Sequence, residues 1–320
     1  MTGQWQRGAG LGNSLGRLEA TRGRGYPRVM RDTAHPVQVV RAPSVGGHIE
    51  FARRELPPDL CAYVRDICGY TERTGAPLWR REFPGPQVVV ILEFAPPICV
   101  FEPGDIRRSA RYPGGFVAGI ADQFTLTQHD GFQHGLQINL TALGARRFFD
   151  LPLSELAGRT VSIRDLMPAE HRSLAERLEA LPDWEARFDC VEELLARRIA
   201  ASDFRSDLMS WALRRIESSG GALDMRGLAR ELGYSQKHVI HLFRDHVGVP
   251  PKLLARIVRF DRLMGSLRRG ISESWSELAL AFGYYDQSHL VRDVRQFTGT
   301  TPTEARAMLT ESPDPGYRVG

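Results

Sequence analysis

Cysteine is scarce in this chain. Cys61, Cys68, Cys99 and Cys190 are the four in 320 residues, with no CxxC pair and no spacing typical of a zinc site. Long apolar runs are missing too, and none approaches the roughly 18–20 residues that a membrane-crossing helix needs. The N-terminus carries no apolar core of the signal-peptide kind. The expected setting is therefore the reducing cytoplasm, away from membranes. Gly-x-Ser-x-Gly elbows, P-loops and dinucleotide fingerprints are also absent. The chain reads as a non-enzyme with no cofactor.

Strong charge of one sign is lacking overall, since the net charge is +4. Its distribution is more informative. Between Gly221 and Leu309 there are 13 Lys and Arg against 9 Asp and Glu, a basic segment suited to a polyanion. A length of 320 residues suits about two domains, each large enough for its own core.

Residues 1–47 are rich in Gly and Arg and poor in aromatics. Such a stretch buries too little apolar surface to offset its ordering entropy, so a disordered tail is expected there, with Met30 as an alternative start. Residues 310–320 are expected to form a second disordered tail. Residues 48–165 predict a β-rich domain, a sandwich or barrel-like body. Pro86–Ala95, Ile98–Glu102, Gly115–Ile120, Gln123–Gln128 and His134–Leu140 are short β-branched or aromatic runs bounded by turn residues. The apolar faces of Val88–Phe94 and Phe116–Ile120 suit a ligand pocket or a filled core, and the filled core is the simpler expectation. Asp59–Cys68 follows Pro57-Pro58 with helical spacing, predicting a short helix with Cys61 and Cys68 on one face, both buried. Leu143–Leu156 predicts a helix stopped by Pro152 and then a second short turn. Residues 166–206 read as a helical linker, with helices at Ala169–Leu181 and Trp184–Ala201, the second capped by Asp183. Asp207–Ser218 is a further helix, ended by Gly220-Gly221.

The segment from Leu228 onward then says nearly the same thing twice. LARELGYSQKHVIHLFRDHVGVPP (Leu228–Pro251) and LALAFGYYDQSHLVRDVRQFTGTTP (Leu278–Pro302) align with one extra residue in the second copy. Each reads as short helix, glycine turn and second helix, the order of a helix-turn-helix. Asp224, Ser235 and Asp286 are placed to cap helices, and Gly233 permits a left-handed turn. Val239, Leu242 and Phe243 form an inward stripe in the first copy, as do Leu290, Val294 and Phe297 in the second. The outer faces mix Gln, Lys, His and Arg with small apolar residues. Gln suits adenine, Arg suits guanine, and an aliphatic group suits a thymine methyl. Between the copies, Pro250-Pro251 opens and Gly270 ends a helix of about 20 residues, close to 30 Å at about 1.5 Å per residue. One turn of B-DNA spans about 34 Å, so one chain suits two successive major grooves. Arg256, Arg259, Arg262, Arg268 and Arg269 on this helix suit phosphates or acidic neighbours.

On these residues, Asp207–Leu309 resembles the DNA-binding domain of AraC/XylS-type transcription regulators. The second unit follows the family pattern through Gly283, Tyr284, Asp286, Ser288, Leu290, Arg292, Val294, Gly299, Thr301 and Pro302. The first follows it more loosely through Gly233, Ser235, Val239, Phe243, Gly248 and Pro251. His241 departs from the usual Arg, Leu254 from an aromatic and Val294 from Phe. The resemblance implies double-stranded DNA as partner. It places Lys237, Ile240, His241 and Arg244 of the first unit, and Gln287, Ser288, Val291, Arg292 and Arg295 of the second, against bases. It also implies RNA polymerase as a further partner, and a sensor domain for a small-molecule effector, or a homodimerisation module, in the N-terminal half. The expected fold class is thus α+β, with a β-rich domain followed by an all-α tandem helix-turn-helix domain over residues 207–309.

A rival reading puts a metal-binding enzyme or sensor in the β-rich half, on His48, His129, Asp130 and His134. A tighter His-x-His pair with a later Glu is missing, and hydrogen-bonded loop histidines explain the pattern more simply.

Overall fold

The computed structural model describes residues 36–311 apart from 45, 103 and 104. Residues 1–35 and 312–320, which hold Met30 and most of both expected tails, lie outside the described residues.

The strands in chain order are β1 (Gln38–Ser44), β2 (Gly47–Arg53), β3 (Val64–Arg73), β4 (Leu78–Glu82), β5 (Val88–Glu93), β6 (Cys99–Glu102), β7 (Asp105–Arg111), β8 (Gly115–Ala118), β9 (Thr125–His129), β10 (Phe132–Leu140) and β11 (Thr160–Ser162). All their pairings are antiparallel, in a seven-stranded sheet ordered β1-β2-β3-β10-β5-β8-β11 and a four-stranded sheet ordered β4-β9-β6-β7. The helices are α1 (Ala142–Phe149), α2 (Ile163–Leu166), α3 (His171–Ala180), α4 (Trp184–Ala201), α5 (Asp207–Ser218), α6 (Met225–Glu231), α7 (Gln236–Val247), α8 (Pro251–Arg268), α9 (Trp275–Ala281), α10 (Gln287–Thr298) and α11 (Pro302–Glu311). The architecture is a β-rich N-terminal part followed by a helical C-terminal part.

The near-continuous apolar run of β5 has a physical reason: both faces of its sheet are covered. Val88, Val90 and Leu92 join Val117, Leu136 and Ile138 in a core shared with Phe188, Val191 and Leu195 of α4. Ile91 points the other way, with Ile98, Val100 and Phe116. The first core continues without a break into Val239, Phe243, Leu290 and Phe297, so sheet, helical layer and repeat region are packed as one body.

Several expectations are corrected. The tail does not extend to 47, because Gln38–Ser44 pairs residue for residue with β2. Asp59–Cys68 is not a helix but a turn leading into β3, which lies between β2 and β10. Leu60, Val64 and Ile67 mimic helical spacing, yet sheet pairing with both neighbours outweighs so short a helix. Cys61 is consequently exposed and Cys68 buried. Residues 166–206 are not merely a linker, since α4 is a layer on the sheet. The Trp184 ring lies on Gly69, where an added Cβ would come within 2.5 Å of it, and its Nε1 donates to Glu50 at 3.0 Å. Arg54, only 5% exposed, ties the end of β2 to Glu192 and Asp189 at 2.8 and 2.7 Å. Over Leu143–Leu156 the expected helix and second short turn are both present: α1 stops at Asp150, just before Pro152, where the chain turns left-handed (φ 53°), and a single 3-10 turn follows at Leu153–Glu155.

Candidate nucleic-acid interface

Local chemistry starts each unit. The Asp224 carboxylate caps α6 by accepting from Arg226 N at 2.9 Å, and the backbone N–H groups of Gly227 and Arg226 hold it below the usual carboxylate range. Gly233 takes φ 73°, a conformation that costs other residues about 1–2 kcal/mol. Ser235 then caps α7 through His238 N at 3.2 Å. The second unit repeats the design. Ser274 and Glu277 form a reciprocal capping box on α9, Gly283 takes φ 72°, and Asp286 caps α10 through His289 N at 2.7 Å.

Val239, Phe243 and Val247 are buried along α7, and Leu290, Val294 and Phe297 along α10. That leaves Lys237, His241 and Arg244 exposed on the first helix, with Ile240 half-buried against the core. On the second, Gln287, Ser288, Arg292 and Arg295 are exposed and Val291 is half-buried. The Gln287 side-chain oxygen accepts from Ser276 Oγ at 2.8 Å, which fixes its amide against α9. Tyr285, the extra residue of the second copy, stands 93% exposed beside this face. It carries no periodic signal that would have singled it out.

The connecting helix α8 has Pro251 in its first turn and runs for 18 residues, about 27 Å long. Gly270 follows it at φ 84°. Three of its arginines are structural. Arg256 donates to the buried Asp293 carboxylate at 2.7 Å, Arg259 to Gly221 O at 3.0 Å, and Arg262 to Gly220 O at 3.4 Å. Their guanidiniums also lie over Phe297, Tyr284 and Phe282 respectively. Arg269 reaches Ser266 Oγ at 2.9 Å.

The β-rich part grips the C-terminal ends of both α7 and α10, a feature the sequence did not announce. At α7, Gly248 sits so close to Leu153 O that a Cβ would lie 2.8 Å from it. At α10, Arg81 donates to Thr298 O at 2.7 Å, satisfying a carbonyl of the last turn with a favourable charge at the negative end of the helix dipole. The Phe124 ring lies on Gly299, and Gln296 donates to Asp122 Oδ2 at 3.3 Å. Phe83 meets Phe260 of α8 edge-on at 6.3 Å, and Phe260 meets Phe297 at 5.0 Å.

Between the two sheets lies a cavity of about 210 Å³, where the filled core was the simpler expectation. Phe51, Tyr70, Ile91 and Phe116 line one wall, and Arg80, Thr125, Thr127 and His129 line the other. Beside it the fully buried Glu72 accepts from Gln133 at 2.6 Å and Arg80 at 2.8 Å, with His129 Nε2 at 3.2 Å. Burial pushes this carboxyl up, but His129 and Arg80 outweigh it and hold the group well below the usual carboxylate range. The histidines of the rival metal reading are not brought together. His129 faces Glu72, His134 bonds Thr71 Oγ1 at 2.9 Å, Asp130 pairs with Arg111 at 2.9 Å, and His48 is exposed. Among the described residues no three His, Cys, Asp or Glu are grouped to hold a metal ion, and no helix is long and apolar enough to cross a membrane.

Residues 228–308 match a family model described as a helix-turn-helix domain. Among solved structures the chain is similar to ToxT from Vibrio cholerae, with 12% identity and a TM-score of 0.43 over 76% of this chain and 97% of that one. It is similar to ToxT bound to (E)-4-(8-methylnaphthalen-1-yl)but-3-enoic acid, with 13% identity and a TM-score of 0.44 over 75% and 98%. The AraC-like transcriptional activator CuxR shares 16% identity over 77% and 86%, with a TM-score of 0.23. No curated protein matches the chain. The doubled capped units, the motif from Gly283 to Pro302 and the family match together make residues 228–308 a helix-turn-helix domain of the AraC type.

Proposed function

We propose that this chain is a sequence-specific, DNA-binding transcription regulator that lays α7 and α10 in two successive major grooves and answers to a small molecule held between its two sheets. The observation that carries the DNA-reading part is the exposed polar face left on both capped helices, with α8 as a rigid spacer of about 27 Å. That length is close to the roughly 34 Å of one B-DNA turn. Exposed Arg and Gln suit bidentate contacts to guanine and adenine, while the half-buried Ile240 and Val291 suit thymine methyls. Because one chain carries both reading helices, no dimer is required for a bipartite site. Action at a promoter brings RNA polymerase in as the further partner, in the cytoplasm where both are found.

The small-molecule part is supported by the cavity, which lies between the sheets of a domain whose own packing needs no such opening. Selection of bound sequences from random DNA tests the reading. The expected result is a bipartite motif with half-sites about 10.5 base pairs apart. Enrichment of no sequence at all would refute it.

A further inference from the structure

Strand pairing gives alternate residues opposite faces, and β4 uses both. Arg80 and Glu82 turn toward the cavity, whereas Arg81 between them holds the last turn of α10. The segment leading into β9 repeats the arrangement. Gln123 and Thr125 line the cavity, while Asp122 and Phe124 contact Gln296 and Gly299. Phe83 does both at once, lining the cavity and packing on Phe260, whose ring meets Phe297 of α10 at a tilt. The first unit is held elsewhere. Its α7 docks on Leu153 and Ala157, which are not cavity residues.

The buried charges of the wall are already matched. Arg80 reaches both oxygens of Glu72, at 2.8 Å each, and His129 stands against the same carboxylate. An ionic ligand would bring a further, unmatched charge out of water into the space between the sheets, which is unfavourable. Glu82 is exposed to solvent and accepts from Thr127 Oγ1 at 3.2 Å. The other polar groups include the amides and hydroxyls of Gln123, Gln128, Thr125 and Thr160, with the rings of Phe51 and Phe116 in the same lining.

Resting on the regulator reading above, we infer that the cavity takes an uncharged, partly apolar ligand with hydrogen-bonding groups, and that its occupancy is read by the second helix-turn-helix unit alone, through β4, Phe83 and the 122–125 segment. A ligand seated against Arg80, Phe83 and Thr125 favours one seating of the strand that carries Arg81. Only that differential contact moves an equilibrium. The first unit keeps its hold on DNA, so the ligand alters the half-site read by α10.

The test uses the full chain without DNA, so its outcome does not depend on whether the operator reading holds. Benzamide, benzoate and benzamidine share one shape and carry neutral, negative and positive charge. At millimolar concentration benzamide is expected to raise the melting temperature, and the two ions to raise it less or not at all. Ala118→Phe, which fills the cavity from β8, should abolish the benzamide shift. Hydrogen exchange should slow in β4 and the last turn of α10 on benzamide binding, with α7 unchanged. Arg81→Ala and Phe124→Leu, at residues outside the cavity lining, should each weaken the response of α10 while leaving the thermal shift in place. The inference is overturned if benzamide gives no shift, if either ion matches it, if α7 responds as strongly as α10, or if α10 still responds fully in both variants.

Discussion

The guanidinium of Arg256 on α8 donates at 2.7 Å to the carboxylate of Asp293, a residue of α10 whose side chain is 1% exposed. One charged pair thereby fixes α10 to α8. Removing the partner of a buried charge costs about 3–5 kcal/mol, far more than the pair contributes in net terms. Arg256→Ala is expected to destabilise the protein by about 3 kcal/mol, read from urea unfolding. A change below about 0.5 kcal/mol, with a loss of DNA affinity instead, would make Arg256 a phosphate contact.

Arg292 is the exposed arginine whose place in the second unit matches the family motif. Arg292→Ala should cost about 1–3 kcal/mol of affinity for the selected operator and relax the choice at one base position. A uniform loss across all sequences, with a smaller salt slope, would assign Arg292 to the phosphate backbone. Competition binding with single-base operator variants at fixed salt separates the outcomes.

Gly283 tests the turn itself. It takes φ 72° with nothing within 4 Å of an added Cβ, so only backbone strain opposes a side chain there. Gly283→Ala should cost about 1–2 kcal/mol. Gly299→Ala, with a similar φ of 71°, adds a collision with the Phe124 ring and should cost more. Equal losses in thermal unfolding would show that the Phe124 contact is not made.

The contrast between these sites shows what was legible in the chain. Caps at Asp183, Asp224, Ser235 and Asp286 act within three residues, so these four helix starts were legible, and for Trp184–Ala201 both bounds were. Strands β5, β6, β8, β9 and β10 were read from composition. Strand β3 was not, because its partner β10 lies some sixty residues away and nothing local reveals the pairing. The pairing of Arg256 with Asp293 was equally hidden, since burial of Asp293 depends on how α10 meets α8. The cavity and the Arg81 clamp depend on which way alternate residues of β4 face once two sheets have packed.

Glu93 gives a pH dependence. It lies at the end of β5, 6% exposed; one oxygen accepts from Ile98 N at 3.1 Å and the other has no hydrogen-bond partner among the described residues. Burial pushes its carboxyl up from 4.5 to about 7. Between those values the folded protein binds more protons than the unfolded chain, so the stability from this group is present in full below about pH 4.5 and declines as pH rises through about 7. A tenfold difference in proton affinity between the folded and unfolded chain is worth about 1.4 kcal/mol, so the decline amounts to at most about 3 kcal/mol. Glu93→Gln keeps the acceptor for Ile98 but cannot ionise. Relative to the variant, the wild type should lose stability in urea unfolding between pH 5 and pH 8 by about that amount. A difference between the two that does not change with pH would mean that Glu93 is ionised throughout and has found a counter-charge.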